Sequence, residues 1–63
     1  MNAFEVLISQ IDEEVGHKST AICHGLARSF DEYTRLCGEV RGLLMAKELT
    51  EALIKRMENS DDE

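Results

Sequence analysis

The chain contains no proline, so nothing along its 63 residues forces a helix to stop through a missing amide donor. Its two cysteines, Cys23 and Cys37, permit at most one internal disulfide, far short of the framework that holds small secreted domains together. The expected state of both is a reduced, half-buried thiol used as a small apolar side chain, with a Cys23–Cys37 bridge across a turn left open as the alternative. No stretch approaches the roughly 18 consecutive apolar residues of a membrane-spanning helix. The start, Met1-Asn2-Ala3-Phe4-Glu5, has neither the basic opening nor the long apolar run of a secretory signal, so an intracellular location is expected. Cations are few as well: Lys and Arg number 7 against 13 Asp and Glu, for a net charge of −6, and only Lys55 and Arg56 are adjacent. A phosphate backbone or an anionic bilayer surface calls for clustered Lys and Arg, so nucleic acid and membrane are both disfavoured as partners. The acid collects at Asp12-Glu13-Glu14 and at Asp61-Asp62-Glu63, which read as solvated surface, with mimicry of nucleic acid toward a basic groove as the sharper alternative.

What is present is helical. Two capping patterns divide the chain. Asn2 precedes Glu5 by three residues, and Ser29 precedes Glu32 by three with Asp31 beside it; a cap side chain followed by acids in the first turn satisfies free amides and suits the helix dipole. Gly25, just upstream of Ser29, can take the left-handed conformation that ends a helix. The reading is all-α: helix one over about 3–25, helix two over about 30–58, a disordered acidic tail over 59–63, and an antiparallel hairpin joined near Ser29 as a single domain. Helix one is expected to run uninterrupted through Gly16, with a kink or frayed turn there as the alternative. The acid-before-base pairs Glu14/Lys18, Asp31/Arg35 and Glu51/Lys55, each four apart, add helical support.

Helix one carries Phe4, Leu7, Ile8, Ile11, Val15 and Ile22 at helical spacing; helix two carries Tyr33, Leu36, Cys37, Val40, Leu43 and Leu44. Folding at the turn pairs positions whose numbers sum to about 55, which sets Ile22 against Tyr33, Val15 against Val40, Ile11 against Leu44 and Phe4 near Leu53. Helix two is the longer, and Met57 falls in or near its overhang. Beyond Leu44 the apolar phase shifts. Lys47, Glu51 and Lys55 take the seam side, while Met45, Leu49, Ala52 and Leu53 turn to the opposite side, where Gly38 and Gly42 also lie. Helix one can cover only one of these faces. The candidate partner-binding residues are therefore Gly38, Gly42, Met45, Leu49, Leu53 and Met57, and the hairpin is expected to be completed by oligomerisation or by docking on a partner. The Gly38/Gly42 spacing would let another backbone approach closely; the plainer alternative is two tolerated glycines.

Nothing points to chemistry. His17, Cys23, His24 and Cys37 match no zinc-ligand spacing, and two helices offer little concavity for a nucleophile and its oxyanion hole, so no catalytic residue, metal or cofactor is expected. Phe30 and Tyr33 beside Arg28 and Arg35 could stack on bases, but the expected role is to anchor the turn onto the core.

The segment from Phe30 to Leu43, with Tyr33, then Leu36-Cys37-Gly38, then Arg41-Gly42-Leu43, resembles a family of small uncharacterised tailed-phage helical-hairpin proteins. The resemblance covers about a quarter of the chain. It implies a phage-encoded product of the virion-assembly region and no activity; the expected location is host cytoplasm or virion, and the second apolar face of helix two makes the expected partner itself or a larger phage or host protein. In architecture alone the hairpin is also similar to Rop-type plasmid copy-number regulators, short acidic hairpins that dimerise and bind RNA loops. An RNA role would require Lys18, Arg28, Arg35 and Arg41 to form a basic patch. The expectation is a non-enzymatic interaction protein, with a host-directed regulator or inhibitor and a Rop-like RNA-binding dimer as alternatives.

Overall fold

Asn2 begins the first helix as the capping pattern requires: its side-chain oxygen accepts the Glu5 amide at 2.9 Å, while its carbonyl accepts the Val6 amide at 3.1 Å. In the computed structural model, which describes residues 2–61, α1 runs Ala3–Cys23 and α2 runs Phe30–Asp61, and together they form an antiparallel hairpin measuring 52 × 19 × 13 Å. The long dimension is that of α2 itself, since 32 residues at about 1.5 Å each span about 48 Å. α1 passes through Gly16 without interruption.

Helix one ends two residues earlier than its outer expected limit, and the cause is the cap. Gly25 sits at φ 67°, its amide donates to the Ile22 carbonyl at 3.2 Å, and the Leu26 amide reaches back to the Ala21 carbonyl at 2.9 Å. This is the paired-bond arrangement of a Schellman terminus, with His24 as C-cap and the glycine just outside the helix. After a short connection Ser29 starts α2: its hydroxyl accepts the Glu32 amide at 3.1 Å and its carbonyl accepts the Tyr33 amide at 3.0 Å. The Glu32 carboxylate reaches back one residue further than a reciprocal box implies, accepting the Arg28 amide at 3.3 Å rather than that of Ser29. At the other end, the expected disordered tail is corrected. Asn59, Ser60 and Asp61 continue the helix, with no proline or glycine among them to stop it; the remaining tail positions 62 and 63 lie outside the described residues.

The seam between the helices follows two straight rows. On α1 it comprises Phe4, Ile8, Ile11, Val15, Lys18 and Ile22; on α2, Leu36, Val40, Leu43, Lys47, Thr50 and Ile54. Each row alternates steps of four and three, the spacing that keeps one side of a helix facing a near-parallel neighbour. All these residues are half-buried except Ile11, which at 8% exposure is the one buried hydrophobic side chain among the described residues. Two cross-helix ion pairs clamp the register. Lys18 Nζ meets Glu39 Oε1 at 3.3 Å, and Lys47 Nζ meets Asp12 Oδ1 at 2.8 Å. Facing positions therefore sum to 57 and 59, not about 55. The shift puts Leu43 rather than Leu44 in the seam and leaves Tyr33 exposed, so Ile22 comes level with Leu36. None of the three intrahelical acid–base pairs expected four residues apart is formed among the described residues. Lys18, for one, crosses to Glu39 instead of turning to Glu14.

Candidate interaction surface

The back of α2 is built by the same arithmetic as its front. Gly38, Gly42, Met45, Leu49 and Ala52 each follow a seam residue by two positions, about 200° further round the helix, and so fall in a single row facing away from α1. All five are exposed, and Leu49, at 71%, is among the barest large apolar side chains of the molecule. A Cβ built on Gly38 or Gly42 would meet nothing within 4 Å, so neither glycine serves a close approach inside the hairpin. Two of the expected partner-binding residues sit differently. Leu53 is half-buried at the edge of the seam rather than on the back of the helix, because it follows Glu39 and Ala46 at intervals of seven on the flank where Glu39 reaches Lys18. Met57 does not project past α1. With the corrected register it stays beside the first turn, and with Asn2, Phe4, Ile54 and Glu58 it lines a shallow open depression at the end of the hairpin.

Reading residue spacing alone placed Leu7 in the core, whereas it is 43% exposed. The α1 row of four-and-three steps runs through Ile8, and Leu7 falls to the side; eleven residues, about three turns, separate it from Lys18, so it shares the flank of the Lys18–Glu39 pair with Ala46 and Leu53. Val6, next to it, is exposed as well. The signal that could have found them is the strict alternation itself, which accepts Ile8 and leaves no seam position for Leu7. The other flank, closed by Asp12 and Lys47, carries Tyr33, Cys37 and Leu44.

At the turn the expected anchoring fails. Phe30 is 79% exposed and Tyr33 and Leu26 are exposed too; the two rings pack on each other, centroids 6.4 Å apart and tilted by 30°, instead of on the core. The connection is too short to swing Phe30 back over α1 once the Ser29 cap fixes the direction of α2. The neighbouring Cys37 side chain pushes the Tyr33 phenol above its ordinary range. Cys23 is an exposed free thiol and Cys37 a half-buried one. Of the four cations that an RNA patch would need, Lys18 is held by Glu39 while Arg28, Arg35 and Arg41 are exposed. Among the described residues no group of three or more His, Cys, Asp or Glu is arranged to hold a metal ion, and no helix is long and apolar enough to cross a membrane.

Fold and surface together define a class: a two-helix hairpin with one helix apolar on two sides. Comparison with family models, curated proteins and solved structures finds no match.

Proposed function

We propose that the chain is a non-enzymatic interaction protein that docks on another polypeptide through the back of α2. The observation that carries this reading is the uncharged row Gly38, Gly42, Met45, Leu49 and Ala52, exposed along about four successive turns of a 32-residue helix. Soluble monomers rarely leave such a contiguous apolar strip open unless it is an interaction site. The spacing of Tyr33, Leu36-Cys37-Gly38 and Arg41-Gly42-Leu43 supports a phage-encoded component of the virion or of its assembly, acting in the host cytoplasm or carried in the particle.

Incorporation is the test. The wild-type chain is expected to co-purify with assembled particles, detected by mass spectrometry, and Leu49→Glu is expected to lose that association while keeping its far-ultraviolet circular dichroism. Because Leu49 lies outside the helix–helix seam, an unchanged spectrum separates docking from folding. Equal incorporation of the variant and the wild type would overturn the reading.

A further inference from the structure

Resting on that reading, we infer that the polypeptide covering this surface is a second copy of the same chain, packed face to face about a two-fold axis at the level of Leu7, Leu49 and Leu53.

Area comes first. A self-contained folded monomer of this mass exposes about 4,100 Å². The hairpin exposes 5065 Å². The surplus, about 1,000 Å², slightly exceeds the roughly 800 Å² that each partner contributes to a standard interface. The hairpin is open in the corresponding way: its radius of gyration is 15.1 Å, against about 11 Å for a compact chain of this length. With Ile11 its one buried hydrophobic residue, the described chain has half a core. Burying one such face against an identical one completes it without any other component.

Position comes second. The ion pairs that set the register place Leu7 level with residues 50–52, midway between Leu49 and Leu53. Leu7 and Leu53 share the flank marked by Lys18 and Glu39, and Leu49 borders it on the back of α2. Three leucines from two helices therefore gather at one height on one side of the hairpin, with Ala46 and Gly42 continuing the surface toward its middle. A two-fold axis through that height sets this cluster against its own copy, the self-complementary arrangement that an isologous dimer requires. Each copy carries a net charge of −6, and Glu14 and Arg56 border the face, so the association is expected to strengthen with salt. The carboxylate of Asp12 is drawn by Lys47 to the opposite flank, and Glu39 on the near flank is matched by Lys18.

Sedimentation equilibrium of the full chain from micromolar to sub-millimolar concentration tests this. The wild type is expected at twice 7.1 kDa. Leu49→Glu and Leu7→Glu are each expected to weaken the dimer by about 100-fold. Leu44→Glu is the control: Leu44 is as exposed as Leu7, at 43%, but lies on the Asp12–Lys47 flank, and this variant is expected to remain dimeric. A wild-type dimer that Leu44→Glu dissociates and Leu49→Glu does not would overturn the proposed face. A helical wild-type monomer at every concentration would overturn self-association altogether; the incorporation experiment would then decide independently whether the same row docks on a different protein. If Leu7→Glu alone loses helicity, cross-linking through L49C in a chain whose two cysteines are serine replaces it: rapid disulfide-linked dimer supports the face, and linkage no faster than that of L44C overturns it.

Discussion

The two helices of this hairpin solve different problems. α1, 21 residues long, sends most of its large apolar side chains into the seam with α2 and leaves Val6 and Leu7 exposed beside it. α2, 32 residues long, has the same stripe on its front and a second row on its back, two positions out of step and uncharged from Gly38 to Ala52 before it reaches Arg56. A helix with one apolar side needs one neighbour; a helix with two needs two, and the chain supplies one. The comparison also shows how the seam tolerates polarity. Lys18 and Lys47 occupy seam positions yet keep their ammonium groups at the edges, where acids of the other helix receive them, and their aliphatic stems cover the seam. Thr50 turns its hydroxyl to the Ala46 carbonyl at 2.8 Å. Polar groups at such positions favour one register over its neighbours, even though an ion pair as exposed as Lys18–Glu39 contributes at most about 1 kcal/mol.

The contrast breaks most visibly at Ile11. Ile11→Ala removes the buried centre of the front seam and is expected to lose about 2–5 kcal/mol, which for a hairpin of this size means loss of most helical signal at room temperature in circular dichroism. Leu49→Ala, of similar chemistry on the back of α2, is expected to change the stability of the dissociated hairpin by less than about 0.5 kcal/mol. Equal losses at the two positions in dilute solution would erase the distinction between front and back. Smaller effects are expected where the helices join. Ser29→Ala removes the hydroxyl that accepts the Glu32 amide and should lower stability by about 1 kcal/mol. Gly25→Ala places a side chain at φ 67° and should lower it by about the same amount. Urea unfolding measures both.

The glycines sharpen the comparison. A Cβ at Gly16, Gly38 or Gly42 meets nothing within 4 Å, so alanine at each is expected to add up to about 1 kcal/mol through helix propensity. On α1, Gly16→Ala should raise the melting temperature at every protein concentration. On α2, the proposed docking of its back predicts that Gly38→Ala and Gly42→Ala do so in dilute solution and by less as concentration rises. The smallest effect is that of pH. The Asp12 carboxylate holds the Lys47 ammonium above the ordinary lysine value of 10.5, and Cys37 holds the Tyr33 phenol above 10.0. Raised values favour the protonated form in the folded chain, so their stabilisation is complete below the ordinary values and is lost as pH rises through the raised ones. The melting temperature is expected to decline above pH 10.5, less steeply in Lys47→Met than in the wild type.

Much of the fold was legible without coordinates, because its signals are local. Asn2, Gly25 and Ser29 act on amides and carbonyls within five residues of themselves, so caps and turn follow from residue identity alone. Most of the candidate surface was legible too, since Gly38, Gly42, Met45 and Leu49 share a side of one helix whatever that helix packs on. Leu7, Leu53 and Met57 were misplaced for a single reason. Each borders the seam, and whether a bordering residue is covered depends on the exact height and rotation of the opposing helix.

The sequence by itself thus determined that there are two helices, where they are capped, that they fold back on each other, and that α2 is apolar on two sides. These are consequences of backbone capping and of a 3.6-residue period. Only the tertiary structure decided the register, through the Lys18–Glu39 and Lys47–Asp12 pairs between side chains 21 and 35 residues apart. With the register came the exposure of Tyr33 and Leu44 and the meeting of Leu7 with Leu49 and Leu53 at one height. A slip of two to four positions leaves every local signal unchanged while moving every cross-helix neighbour, so packing alone could choose among the alternatives.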